Sequence, residues 1–435
     1  LSSDTLGSKS TAIGRSALGT QNFSTATDSY NTALGFYAGL EVTTGQYNTI
    51  LGANAGDALT TGSSNVAVGF RALSAEDGHS ANTAVGESAL RALNAGANGH
   101  NTAVGFSAGT AVTSGIQNVI IGSQAGDALT DSDNNVAIGY NSLTSETTGG
   151  ANTAVGYNTL GNQNVAGGAN AHNTAIGYNA GASIASATTN TAIGSLSLDA
   201  EVNGHRNTAV GYGSLSTQSS GTSTNVHNTA VGFHAGVSVT SGTQNTLIGS
   251  ESGDAITTGV QNIVLGYNTD VDTGSADNRF GIGVNLSLTA GSTIKIGNAS
   301  TFITNTWGSN ATWTHSSDER LKENIQDATL GLSFINDLRT VNYNWRLQKD
   351  VPEEIRNDNG FERETEVRQH GMIAQEVKAA LDKAGVDTFL GWSEDKDGTQ
   401  MLSESMFVFP LIKAVQELST QVTALQAEVN TLKGE

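Results

Sequence analysis

The sequence has no cysteine, only two prolines and, over its first 310 residues, scarcely any charge. Without cysteine there is no disulfide framework and no thiolate zinc site, so durability must come from packing or assembly. No proline precedes Pro352, as a ladder of strands donating in both directions requires. Residues 1–310 hold 7 Lys/Arg and 18 Asp/Glu, whereas 311–435 hold 13 and 22. The chain therefore joins two objects of different charge density. A net charge of −20 argues against nucleic acid, whose binding requires a basic face, and against docking on an anionic membrane. No run of 18 apolar residues occurs, so no membrane insertion is expected. The sequence begins at Leu1, as expected of a processed or trimmed N-terminus, and a missing signal peptide then excludes no compartment.

What the first part has instead is a repeat. The unit N-[TV]-[AIL]-[AVIL]-G-x-x-[AST]-[GL] occurs as "NTALGFYAG" at Asn31, "NTILGANAG" at Asn48, "NVAVGFRAL" at Asn65 and "NTAVGESAL" at Asn82. It continues to Asn262, with a degenerate first copy at Ser10, in steps of 17, 19 or 21 residues. A fixed rung with variable loops produces such spacing. Each unit reads as a short strand. Thr, Val and Ile alternate with Ala and Gly, giving one bulky and one small face, while Asn before it and Gly after it suit turn and left-handed geometry. A helix is excluded, since each interior Gly would cost about 1 kcal/mol.

The fold expected is mainly β: a repetitive β-solenoid or β-prism shaft over 1–270, a β neck over 271–316, and an α+β domain over 317–435. One rung has few large side chains, so the small faces of neighbouring strands or chains are expected to meet and association to complete the burial. At one strand spacing of about 4.8 Å per copy, the fifteen copies make a rod of roughly 70 Å. The "NTAIG" and "NTAVG" units resemble the repeated strands in the head of trimeric autotransporter adhesins and in phage-fibre shafts. The resemblance implies a homotrimer of parallel chains.

Polar inserts, "SAEDGHSA" (74–81), "RALNAGANGH" (91–100), "GNQNVAGGANAH" (161–172) and "STQSSGTSTNVH" (216–227), read either as recognition loops or as solvated spacers. His100, His172 and His227 each precede the Asn of a unit. Their symmetry copies would meet only near a trimer axis, and hydrogen-bonding turn residues explain them as well, so no metal and no cofactor are expected. After the last unit, strands around Ile294–Ile296 and Phe302–Ile303, with Trp307 and Trp313, suggest a wider neck.

In the charged part, "SSDERLKENI" (316–325), "NYNWR" (342–346), "HGMIAQEV" (370–377) and "FPLIKAVQELSTQVTALQAEV" (409–429) resemble, in this order, the endosialidase-type C-terminal intramolecular chaperone. That domain ends phage tail spikes and fibres, and a relative lies in a membrane-bound animal transcription factor. Its members self-cleave through a Ser–Lys dyad in the pattern S-D-x-R-x-K. Ser317, Asp318, Arg320 and Lys322 fit it without departure. The resemblance implies Ser317 as nucleophile, Lys322 as base, Asp318 and Arg320 in support, and a cut between Ser316 and Ser317. A lysine desolvated in a packed interface can serve as such a base. The same residues also read as an N-capped helix start with Ser317 or Asp318 as cap, and both readings hold together. His315 and Glu319 are further candidates to assist, by residue type and not by any geometry the sequence gives.

Downstream, "QDATLGLSFINDLRTVNYNWR" reads as a helix leading to a strand, and "HGMIAQEVKAALDKAG" as a strand running into a helix with Ile373, Val377, Ala380 and Leu381 on one face. Leu411, Val415, Leu418, Val422, Leu425, Val429 and Leu432 form a heptad seam, predicting a coiled coil over 409–433. Val at a with Leu at d leans toward a dimer by the usual rule, against the trimer the resemblance implies. The expected function is a trimeric phage or phage-like tail fibre that recognises a host cell-surface receptor or glycan. Its N-terminus would meet other tail or baseplate proteins, and it would reside on the virion, or extracellularly at a cell surface. Its only enzymatic act would be self-cleavage in cis. A secreted adhesin with the same shaft is the alternative, although the hydrophilic end "TLKGE" lacks the membrane strands such an anchor uses. A polysaccharide-degrading tailspike fits less well, because no carboxylate pair sits among sugar platforms.

Overall fold

The computed structural model describes residues 1–96, 98–221, 224–291, 293–306, 314–315, 317–353 and 366–434. Contacts divide the chain into two units, Leu1–Ser316 and Ser317–Glu435. Trp307, Trp313 and Ser316 lie outside the described residues.

Unit one is a β-solenoid. Every repeat contributes one short strand, from Thr11–Ile13 to Ile263–Leu265, and consecutive strands pair parallel and in register, as Val119–Ile121 does with Val136–Ile138. The ladder runs within one chain, which selects the solenoid over a prism or an intertwined triple helix. It continues past the last recognisable repeat through Arg279–Val284 and Thr293–Asn298, then turns antiparallel to Phe302–Thr306 and on to Thr314–His315.

The asparagine that opens each rung does not sit in a left-handed turn; the residue before it does, with φ of 49° at His100 and 60° at Gln117. The asparagine is buried instead. At Asn118, Oδ1 accepts from the backbone N–H of Asn135 at 2.9 Å, and Nδ2 donates to the Ser132 carbonyl at 2.9 Å. Repeated from Asn31 onward, this makes a ladder of side-chain amides that satisfies backbone groups the turn would otherwise orphan.

Each rung encloses a narrow core of its own. The small face points inward, so that Ala67, Ala84, Ala103 and Ala137 are fully buried against position-eight alanines such as Ala72, Ala89 and Ala108. In most rungs the remaining corner takes one bulky aliphatic, from either of two places; the rung from Asn82 takes two, Leu90 and Leu93. Where position nine is glycine, position twelve supplies it: Gly39 with Val42, Gly126 with Leu129, Gly181 with Ile184. A Cβ at Gly126 would lie 2.7 Å from Leu129 Cδ1. Where position nine is leucine, held at φ of 47–54°, position twelve is free for a polar group: Leu143 with Glu146, Leu160 with Gln163, Leu198 with Glu201, Leu215 with Gln218.

These buried polar groups explain the loops. Asp4, Glu76, Glu146 and Glu201 each precede, by one rung, an elongated rung of 19 or 21 residues. Glu146 Oε1 accepts from the N–H groups of Thr147, Thr148 and Gly149 at 2.7–3.1 Å, and Oε2 from Gln163 Nε2 at 3.1 Å and Val165 N at 3.2 Å in the next rung. Burial works against ionisation of Glu201, but hydrogen bonds from Gln218, Gly204 and Ser220 outweigh it and hold the carboxyl below its ordinary value. The stretch 74–81 is not an insert: its rung keeps the 17-residue step from Asn65 to Asn82 and is distinguished by Glu76.

Glu76 departs from the pattern. Its next rung carries Leu93 where the others carry glutamine, and its buried Oε2 has no partner. Leu93→Gln is therefore expected to raise the melting temperature or leave it unchanged, because the new amide reaches an orphaned oxygen. Val112→Gln, placed between Leu93 and Leu129 at the same position, has no acid beneath it and is expected to destabilise by about 1–3 kcal/mol. Equal melting shifts for the two would refute this account.

The bulky faces of the strands point outward and stay exposed, including Ile13, Leu34 and Leu51, with a file of aromatics in front of them. Tyr140, Tyr157 and Tyr178 stack at 5.6 and 5.2 Å, and Tyr212 on Phe233 at 5.6 Å. At the end of the repeats, burial together with the neighbouring Asp254 pushes the Asp270 carboxyl up to about 7. The folded chain then keeps a proton that the unfolded chain has lost, so this site's contribution to stability falls as pH rises from the carboxylate range through about 7. Asp270→Asn is expected to stabilise relative to the parent, increasingly so from about pH 5 to about pH 8 in thermal melts. A constant difference across that window would count against it.

Unit two has a small aromatic core. Helix Leu332–Asp337 presents Phe334 to Phe389 and Phe407, with centroids at 6.0 and 6.4 Å. Helix Ala374–Ala384 adds Val377, Ala380 and Leu381, whereas Ile373, expected on that face, caps the helix and is exposed. Strands Thr340–Tyr343 and Gln369–Met372 pair antiparallel. The terminal helix is continuous over Val408–Lys433, and the seam from Leu411 to Leu432 is exposed along it. Near its start, Glu417 accepts from Leu332 N at 2.8 Å, tying the long helix to the first turn of the short one.

Candidate active site

Residues 317–322 do not begin an α-helix. One 3-10 turn, Glu319–Leu321, is capped by Asp318, whose Oδ1 accepts from Arg320 N at 2.9 Å, and the chain leaves it extended at Lys322, φ −120° and ψ 143°. The tightness of that turn solves the spacing problem. Five residues of α-helix would put Ser317 and Lys322 on different faces, but one short turn followed by extended backbone returns the lysine to its start. Lys322 Nζ donates to Ser317 Oγ at 2.8 Å.

Asp318 and Arg320 hold the turn. The guanidinium donates through Nε at 3.0 Å and Nη2 at 2.7 Å to the two carboxylate oxygens. This pairing keeps the Asp318 carboxyl below its usual range and raises Arg320. Capping thus falls to Asp318 and leaves the Ser317 hydroxyl to the lysine. Ser317, Asp318, Glu319, Arg320 and Lys322 are all exposed. Among the described residues Glu319 makes no hydrogen bond to the dyad, and His315 lies on the strand Thr314–His315 in the other unit. Ser316, the other side of the expected cut, lies outside the described residues. A cavity of about 500 Å³ in unit two, lined by Asn342, His370, Met372 and Glu404 among others, includes no member of the dyad.

Elsewhere, Glu76, Asp77 and His79 bring ligand atoms within 4.8 Å of one another. Their arrangement is that of the other loop-anchoring acids: Glu76 Oε1 faces the His79 backbone N–H at 3.0 Å and its Nδ1 at 2.7 Å. No helix among the described residues is long and apolar enough to cross a membrane.

The anchoring acids at position twelve are not among the residues that the repeat motif singles out, although the sequence carries their signal: an acid six residues before one Asn and an elongated rung after it.

Residues 317–386 match the family model described as chaperone of endosialidase. No curated protein and no solved structure gives a significant match to the chain. The match begins at Ser317, the first residue of unit two and the hydroxyl that Lys322 holds. The chain therefore carries an endosialidase-type chaperone domain behind a long β-solenoid, the combination that fits a tail fibre.

Proposed function

We propose that the chain is a homotrimeric tail fibre that attaches to a host cell surface, and that its C-terminal domain templates the trimer and is then released by self-cleavage between Ser316 and Ser317. The observation that carries this reading is the 2.8 Å hydrogen bond from Lys322 to Ser317 at the head of the chaperone match.

The chemistry needs little apparatus. Ser317 Oγ attacks the carbonyl carbon of Ser316 while the neutral Lys322 amine takes the hydroxyl proton. The Ser316–Ser317 C–N bond breaks as the Ser317 nitrogen is protonated, leaving an ester on Ser317 Oγ. Water hydrolyses it to a Ser316 carboxylate and the free hydroxyl. Only the neutral amine can begin this, and removal from water favours the neutral form. In the single chain the ammonium is exposed. Association of three chains would supply the missing cover, so cleavage would follow assembly.

The shaft supplies the need for a template. Near-identical rungs offer many wrong registers, and non-local parallel pairing is slow and prone to aggregation. Exposed apolar seams on the shaft strands and on the terminal helix are surfaces that like copies would cover. The test is to express the chain and run denaturing gels with and without boiling. Fragments of 316 and 119 residues, with the larger running as a trimer before boiling, are expected. A whole, monomeric chain would overturn the reading.

A further inference from the structure

The four elongated rungs, opening at Ser10, Asn82, Asn152 and Asn207, add their extra residues at one place, between position twelve and the next asparagine. Their loops therefore leave the solenoid at the same corner. They are three or four rungs apart, which at the strand spacing is roughly 14–19 Å. Three further features set this edge apart.

The loops are anchored. In the rung from Asn152, Gln163 is buried between Glu146 in the rung before and Asn173 in the rung after, whose Nδ2 donates to Gln163 Oε1 at 2.9 Å. The rung from Asn207 repeats this with Gln218, Glu201 and Asn228. Aliphatic residues fill that position in most other rungs, and burying a carboxylate there is costly unless every oxygen is met. A passive spacer needs no such foundation.

Each elongated rung also ends on an exposed planar ring: Tyr30, His100, His172 or His227. Rungs of ordinary length end on Ser64, Ala81, Gln117, Ala151 or similar residues, Tyr47 being the exception.

Finally, the stretches 164–172 and 219–227 contain no charged residue, and the exposed Asn164, Asn170, Ser219 and Asn225 offer neutral hydrogen-bonding groups. Their aliphatic residues Val165 and Val226 are turned inward and buried.

We infer that this edge is where the fibre grips its target, and that the target is a neutral, hydroxyl-rich surface glycan. The inference rests on the attachment reading above and specifies its ligand. Uncharged donors and acceptors beside a planar ring match a sugar's hydroxyls and its apolar face. A protein partner would require aromatic or Arg anchors pointing outward, and the stretches 164–172 and 219–227 contain no Phe, Tyr, Trp or Arg. An acidic glycan would meet a chain of net charge −20, and neither 164–172 nor 219–227 carries a basic side chain; the basic residues at the same rung position are Lys9, paired with Asp28, and Arg206 in the rung before 219–227. Repetition along the shaft lets a polymer engage several weak sites together.

The test uses the full chain, fluorescently labelled, on a panel of intact bacterial cells, beside the variant N170A/H172A/H227A. Ala81 and Ala151 already occupy the same left-handed rung position as the two histidines, so the variant is expected to fold, and its trimer mobility and melting temperature provide the check. The expected result is binding by the parent that periodate treatment of the cells abolishes, protease treatment spares and added salt does not weaken. The variant should bind on the order of tenfold less or worse. Parental binding that the variant retains in full overturns the inference and leaves attachment to another surface. Protease-sensitive binding overturns it in favour of a protein receptor, and salt-sensitive binding in favour of an acidic ligand. A parent that binds no cell removes the attachment reading itself, and this inference with it.

Discussion

Ser317→Ala is expected to leave the chain at 435 residues where the parent resolves into pieces of 316 and 119. Among the described residues the hydroxyl is the nucleophile that the lysine holds, and its loss should slow the cut by roughly 10³-fold or more. Lys322→Arg is the sharper test. Arginine keeps the positive charge and much of the reach, so it can still donate to Ser317, but it does not release its proton in any accessible range. If the lysine merely buttressed the turn, the arginine variant would still cleave; if it is the base, that variant stays whole like Ser317→Ala. Asp318→Asn probes the support. It removes the charge that Arg320 grips but keeps a side-chain oxygen for the cap, so a partial slowing is expected while the aromatic core around Phe334 is untouched. Time courses on denaturing gels separate the three. Dilution adds a further readout: if cover by neighbouring chains is what neutralises the lysine, cleavage should lag at low concentration and the lag should shorten as the chain is concentrated.

The shaft was legible because its spacing is strict. A step of 17 residues and a period of two within each strand leave few architectures, and the pairing of Val119–Ile121 with Val136–Ile138 follows from them. Which face turned inward was not legible, because a period of two has no sign: Ala137 and Val136 alternate equally well either way. The central residue of each strand went inward, alanine in most rungs and Ile50, Ile120, Leu247 or Val264 in four, leaving Ile121 and Tyr140 outside. The asparagine was legible as a fixed point of the rung but not in its role. Its type suits a left-handed turn, but a buried amide between rungs outweighs that preference, since it meets two backbone groups with no other partner nearby. At the dyad, residue types were legible and geometry was not. Ser317 and Lys322 meet because a 3-10 turn intervenes, a local choice that spacing alone does not make.

Gly122→Ala is expected to be among the most damaging single methyl additions in the shaft. Gly122 has φ of 137°, outside the range that side-chain-bearing residues adopt readily, and an added Cβ would lie 2.4 Å from the carbonyl oxygen of Gly139 in the next rung. Neither atom can step aside, because both belong to the backbone of a continuous ladder. The rungs must part locally, and the hydrogen bonds from Gly122 N to Val104 and from Gly139 N to Ile121 loosen together. A cost upward of about 3 kcal/mol follows from strain and lost pairing combined. Gly168→Ala separates the two causes. Gly168 also has positive φ, 71°, but nothing lies within 4 Å of its added Cβ, so only the left-handed penalty of about 1 kcal/mol applies. Denaturant melts should rank them in that order. Amide exchange should locate the first change: in a stack where each rung touches only its neighbours, protection should fall around residues 105–139 and persist further away. Equal losses at 122 and 168 would mean that φ, not rung contact, sets the cost, and the glycine column would then be a matter of turn chemistry alone.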